Sequence, residues 1–173
     1  MSFVIREVAA SDTHQMERIG RLRVAVWDEE GTLAEDYRAS GVWLDAFDPV
    51  GRHWLAEAPD GALVACARLT VHERAEDSPD GPVWLDAGLP LAGPVANIAK
   101  LVVLAGARGQ GLAGELNRLR IVAARAMGAR VVTVTASKAN ARLLAGLGFR
   151  DTGVVVTFAN RPGVPFHALE LAL

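Results

Sequence analysis

The sequence predicts an α/β protein of the α+β type, a mixed and mostly antiparallel sheet of about seven strands flanked by helices. Three observations carry this. Short runs of alternating or β-branched residues recur between helical stretches along the whole chain. The segment from Leu112 has the apolar period of a helix lying on a core. The chain closes on two strand-like runs joined by Asn160, Arg161, Pro162 and Gly163, a hairpin signal. With 173 residues it has the length of one domain with one sizeable core, so a single domain over 1–173 is expected.

Each element has its own justification. Phe3 to Val8 alternates apolar with polar residues and predicts a half-buried first strand. Asp12 with Gln15 three positions on resembles a capping box, opening a helix on which Ile19, Leu22, Val26 and Trp27 recur at helical spacing. From Asp28 to Val50 the apolar residues are scattered among acidic ones, and a second, short helix is placed there. His53 to Glu57 and Ala62 to Val71, joined by Pro59, Asp60 and Gly61, predict a hairpin. His72 to Pro94 holds four prolines and reads as an irregular connection, the kind of long loop that often carries function.

Val95 to Leu104 returns to strand character and leads into a glycine-rich turn, Gly106 to Gly111. In the helix that follows, Leu116, Leu119, Val122, Ala123, Ala126 and Met127 are assigned to one face, and Gly128 ends it. Val131 to Thr135 predicts a strand, Lys138 to Leu147 a short helix stopped by Gly148, and Arg150 to Ala159 with Val164 to Leu173 the closing strands. The expected order is β-α-α-β-β-β-α-β-α-β-β.

Composition narrows the function. No apolar run approaches the roughly 20 residues of a membrane span, so no membrane partner is expected. Met1 to Val8 lacks the features of a signal peptide, and a cytoplasmic location is expected. A formal charge of -2 gives no basic excess for nucleic acid. The single cysteine, Cys66, lies in an apolar run and reads as a core thiol. No histidine and carboxylate pattern has metal-ligand spacing, so no metal is expected.

The informative residues are Arg108, Gly109, Gln110, Gly111, Leu112, Ala113 and Gly114, between a strand and a helix start. Such a turn offers unpaired backbone N–H groups and the positive end of the helix dipole to a phosphate. A nucleotide-triphosphate loop fails because no lysine occurs between Lys100 and Lys138. Gly109, Gly111 and Gly114 fit the dinucleotide spacing, but no acidic residue lies between Glu115 and Asp151 to select a ribose. An NADP-binding protein remains the runner-up on these residues.

At this turn the sequence resembles the GNAT superfamily of acyl-CoA-dependent N-acyltransferases, whose pyrophosphate loop reads Arg or Gln, two residues, Gly, one residue, Gly or Ala. Arg108, Gly111 and Ala113 match it. By the same resemblance Leu101 and Val103 take the two strand positions whose backbone pairs with the pantetheine arm. Leu143 to Phe149 is similar to the second cofactor motif, and Leu22 to Glu29 to the first helix of some branches. The resemblance implies a GNAT-like fold, with the cofactor entering where the fourth and fifth strands part. It also implies acetyl-CoA as acyl donor and transfer of the acyl group to a small-molecule or peptide amine, with a homodimer left open.

Three positions depart from the family pattern. The motif's cofactor-touching Asn is replaced by Ser137, with Asn140 nearby; the usual tyrosine acid is Leu144; and the usual glutamate base is Asn97. Attack needs a neutral amine, since a lysine-like amine has a reference pKa of about 10.4, so a proton acceptor is required. Asn97 is assigned to hold a water or the amine, His72 and Glu73 to base or relay, and the backbone N–H of Val103, if the strand bulges there, to the oxyanion. Trp43, Phe47, Trp84, Asp45, Glu73 and Asp86 are candidates for an acceptor pocket, each also readable as loop packing. The missing acid and base keep a catalytically silent acyl-CoA-binding module as an alternative.

Overall fold

The structure is a computed structural model that describes residues 2–173. Its strands are β1 (Val4–Val8), β2 (Arg52–Glu57), β3 (Leu63–His72), β4 (Val95–Val103), β5 (Val131–Ala136), β6 (Arg150–Phe158) and β7 (Arg161–Ala172). The helices are α1 (Thr13–Glu29), α2 (Glu35–Ser40), α3 (Gly81–Asp86), α4 (Leu112–Ala126) and α5 (Lys138–Ala145). The strands form one seven-stranded sheet in the order β1-β2-β3-β4-β5-β7-β6. It is mixed: β1 runs antiparallel to β2, from Val4 opposite Glu57 to Val8 opposite His53. The β4 and β5 strands are parallel from Val95 opposite Val131 to Asn97 opposite Thr133, while β5 and β7 are antiparallel. This is the fold class that the sequence predicts.

The chain forms two compact units. The first comprises residues 2–68, 100–116 and 158–163. Asp12 Oδ1 accepts the N–H of Gln15 at 3.1 Å and starts α1 as the capping box requires. Ile19, Leu22, Val26 and Trp27 then pack with Leu33, Trp43, Leu55, Cys66 and Val102 in one core. Trp43 meets Trp27 edge-on and stacks on Tyr37, both at 4.3 Å between ring centres. Cys66 is fully buried, as its apolar neighbourhood implies.

The second unit comprises residues 69–99, 117–157 and 164–173. Here the structure corrects two readings. The proline-rich connection is partly helical: Ala75–Asp77 forms a 3₁₀ turn and α3 follows, with Pro82 in its first turn. Proline fits there because its fixed φ suits a helix start and its missing N–H would have had no intrahelical acceptor. Fully buried Trp84 anchors this helix, and its indole N–H donates to Glu170 at 3.4 Å. On α4 the predicted face is misphased, since Val122 and Met127 are 63% and 44% exposed while Asn117, Arg120, Ile121 and Ala124 are buried. Arg120 donates to the Ala99 carbonyl at 3.1 Å and to Asn117 Oδ1. Two buried polar side chains, Asn117 and Arg120, therefore occupy the face that an apolar count assigns to solvent.

The closing turn is also shorter than predicted. It consists of Ala159 and Asn160, and β7 begins at Arg161. Arg161 is buried over the Trp27 ring at 4.8 Å and paired with Glu30 at 3.2 Å, which draws its backbone into the strand.

Candidate functional site

The glycine-rich turn is built by β4 and the first residues of α4. After Ala105–Ala107 closes a 3₁₀ turn, Gly109 and Gly111 take left-handed φ values of +75° and +83°. Only glycine adopts this pair without strain, and a Cβ at either position would meet nothing within 4 Å. The turn is therefore open around both glycines. The first intrahelical bond of α4 runs from the Glu115 N–H to the Gly111 carbonyl at 3.0 Å. The N–H groups of Leu112, Ala113 and Gly114 thus lack intrahelical acceptors and, with the helix dipole, place partial positive charge at the start of α4. Leu112 is buried and fixes the helix start, while Gln110 donates to the Gly106 carbonyl at 3.5 Å.

Arg108 belongs to the same turn. Its Nε donates to the Val103 carbonyl at 3.0 Å and its Nη2 to Glu30 at 2.8 Å. Glu30 also accepts from Arg161 at 3.2 Å, so one carboxylate bridges the turn arginine and the start of β7. Leu101 and Val103 are half-buried and share a face by strand period. The one non-glycine residue with a left-handed φ among the described residues is Lys100 on β4, φ +55°, three residues before Val103.

Asn97, His72, Glu73, Ser137 and Asn140 belong to the second unit. Asn97 is fully buried, and its Nδ2 donates to Asp80 at 2.9 Å and to Thr133 at 3.4 Å. Its Oδ1 is buried with no partner among the described residues and can accept one further N–H or a water. Asp80, missed in the sequence, also accepts the N–H and the hydroxyl of Thr135, at 3.0 and 3.1 Å. His72 ends β3 half-buried and Glu73 is exposed. Ser137 precedes α5 in extended conformation and makes no side-chain cap, which leaves its hydroxyl unspent in the helix; Asn140 is half-buried in the first turn. The aromatic acceptor lining is corrected, because Trp43 and Trp84 are core residues at 2% and 0% exposure.

Leu144 is fully buried, and its carbonyl receives the N–H groups of Leu147 and Phe149. A tyrosine there must overpack the core and bury a hydroxyl. We expect Leu144→Tyr to lower stability by about 1–3 kcal/mol, measured by denaturant unfolding.

A buried charge cluster in the first unit was not foreseen from the sequence. Arg23 forms a two-pronged pair with Asp48 at 2.9 and 3.0 Å, and Arg68 reaches Asp48 at 3.0 Å and Asp45 besides. Lys100 Nζ lies 3.1 Å from Asp45 and 4.3 Å over the Trp43 ring. Burial alone would raise the Asp45 carboxyl, but Arg68 and Lys100 hold it well below the usual carboxylate range. Burial, against the opposing pull of Asp45, lowers Lys100 to about 8. His53 is lowered by burial and its Nε2 bonds the Asp48 carbonyl at 2.9 Å. Asp45 and Asp48 also border a concavity of about 250 Å³ walled by Met16, Val42 and Leu44. Among the described residues no group of His, Cys, Asp and Glu converges as a metal site, and no helix is long and apolar enough to cross a membrane.

Known proteins share this architecture. No curated protein matches the chain by sequence. Among solved structures, an acyl-CoA N-acyltransferase from Pseudomonas aeruginosa superposes with a TM-score of 0.67 at 20% identity, covering 99% of this chain and 100% of its own. A GCN5-related N-acetyltransferase from Kribbella flavida gives 0.60 at 22% identity, covering 99% and 98%. FeeM, an N-acyl amino acid synthase from uncultured soil microbes, gives 0.72 at 12%, covering 99% and 92%. At these identities the likeness is one of fold. The acetyltransferase (GNAT) family model matches residues 15–149, most of the chain and all of the glycine turn. The chain belongs to the acetyltransferase (GNAT) family.

Proposed function

We propose that the protein transfers an acetyl or other acyl group from acyl-CoA to an amine, by direct attack of the amine on the thioester. The observation that carries this reading is the open left-handed turn at Gly109 and Gly111, facing the unpaired N–H groups of α4 with Arg108 beside it. In this reading Leu112, Ala113 and Gly114 receive the pyrophosphate, Arg108 exchanges Glu30 for a phosphate oxygen, and the β4 backbone at Leu101 and Val103 takes the pantetheine arm. The acceptor is a small molecule or a peptide carrying an amine. A backbone N–H on β4 stabilises the oxyanion without a side chain, and a thiolate with a pKa like that of cysteine, about 8.5, leaves tolerably near neutral pH. The missing tyrosine then costs rate, of order 10²- to 10⁴-fold, without abolishing the reaction.

Acetyl-CoA should raise the melting temperature and NADPH should not, because no ribose-selecting acid follows the turn. At 100-fold excess over its dissociation constant a ligand stabilises by about 2.7 kcal/mol, readily seen by thermal shift. Stabilisation by NADPH alone would overturn the proposal. The silent-binder reading keeps support from Asn97 and Leu144, which stand where the family often has its base and acid. Thiol release from acetyl-CoA across a panel of amines separates the two: binding without release with any amine favours the silent module.

A further inference from the structure

The ladder between β4 and β5 ends early. Its last rung joins Asn97 to Thr133, yet β4 continues to Val103 and β5 to Ala136. Strands that part while both stay extended leave polar groups facing a gap. One carboxylate stands in this gap. Asp80 Oδ2 accepts the Nδ2 of Asn97 on β4 at 2.9 Å, and the N–H and hydroxyl of Thr135 on β5 at 3.0 and 3.1 Å. Thr135, past the last rung, thus finds in Asp80 the acceptor that β4 no longer offers.

Asp80 holds the N-cap position of α3 but makes no side-chain cap there, so its carboxylate serves the fork and not its own helix. It is half-buried, within reach of a ligand. An ionised carboxylate only accepts hydrogen bonds, so Asn97 must turn its amide nitrogen to Asp80. The other end of that amide, Asn97 Oδ1, is buried without a partner among the described residues. A buried acceptor left unmade is costly, and an N–H brought by a ligand would satisfy it. The fork therefore offers a base and, beside it, an acceptor for N–H, which together suit an amine nucleophile. Residue 97 is also the strand position at which the family resemblance expects a glutamate. A glutamate there would set a second negative charge against Asp80, whereas the amide of Asn97 donates to it.

We infer that Asp80 is the catalytic base of acyl transfer, with Asn97 Oδ1 orienting the amine. The inference rests on the acyl-CoA reading of the glycine turn, in which the pantetheine arm lies along β4 at Leu101 and Val103, beyond the last rung. The neutral amine nitrogen bonds to the thioester carbon as the C–S bond breaks. Asp80 takes the proton that the nitrogen sheds and passes it to the departing thiolate. The products are an amide and coenzyme A thiol, and Asp80 returns to its carboxylate form.

The test measures thiol release from acetyl-CoA with the best acceptor of an amine panel, for wild type, Asp80→Asn and Asp80→Glu. Asparagine can place its amide oxygen where Oδ2 stood and keep the three hydrogen bonds, but it cannot take the proton. Glutamate keeps the base and disturbs the hydrogen bonds. Turnover of Asp80→Asn is expected to fall by about 10²- to 10⁴-fold, and Asp80→Glu to retain more than Asp80→Asn. Acetyl-CoA should raise the melting temperature of both variants as it does for wild type, with their fold checked by circular dichroism. Asp80→Asn turning over within about threefold of wild type, or faster than Asp80→Glu, shows a structural role and overturns the inference while the acyl-CoA reading stands. Wild type that releases thiol with no amine overturns acyl transfer and the role of Asp80 together.

Discussion

Asp48→Ala is expected to destabilise the protein by about 3–5 kcal/mol, because it leaves two buried guanidinium groups without their shared carboxylate. Arg23 and Arg68 are 0% and 1% exposed at their side chains, and each donates to Asp48. The loss is far larger than for an exposed ion pair such as Arg21 with Glu17, worth about 0–1 kcal/mol. Denaturant midpoints of the two variants, Asp48→Ala and Glu17→Ala, measure the contrast directly. The same carboxylate gives the stability a pH dependence. Burial opposes ionisation of Asp48, but hydrogen bonds and charge from Arg23 and Arg68 win and hold its pKa below the ordinary value. Its contribution is therefore fully present above the unfolded value of about 3.9 and is lost as pH falls through the lower folded value. A midpoint for Asp48→Ala equal to wild type would show that the pair contributes nothing.

Gly111→Asp is expected to weaken acetyl-CoA binding by more than about 100-fold, equivalent to about 2.8 kcal/mol. The substitution puts a carboxylate where the proposed pyrophosphate meets the start of α4. Two like charges 4 Å apart at an effective dielectric of 20 repel by about 4 kcal/mol. The fold should survive, since a Cβ at this position meets no neighbour within 4 Å and aspartate enters the left-handed region more readily than most residues. Gly111→Asn, of nearly the same shape but uncharged, isolates the electrostatic part and should retain more affinity. Calorimetry on folded variants decides the matter, and an unchanged affinity in Gly111→Asp removes this turn from the site.

Local chemistry made much of the fold legible. The Asp12 cap, the alternation in β1, the Pro59 to Gly61 hairpin and the turn at Gly109 and Gly111 each depend on residues a few positions apart, and the structure contains all four. The position of the turn between β4 and α4 followed for the same reason. The misphased face of α4, the helix hidden among prolines and the early start of β7 were not legible. In each of these a polar or aromatic side chain found a partner from elsewhere in the chain: Arg120 the Ala99 carbonyl, Trp84 the Glu170 carboxylate, Arg161 the Glu30 carboxylate and the Trp27 ring.

The charge cluster shows the division most clearly. Arg23, Asp45, Asp48, Arg68 and Lys100 have no recognisable spacing in sequence, and by composition each belongs at the surface. Their burial is possible only because α1, the segment after α2, β3 and β4 bring opposite charges within hydrogen-bond distance, which offsets desolvation that none could bear alone. The sequence by itself determined the strands, the principal helices and the glycine-rich turn, since those depend on periodicity and backbone freedom. Tertiary structure alone decided which charges are buried, and with them which lysine can lose its proton, because desolvation depends on neighbours that the sequence does not place.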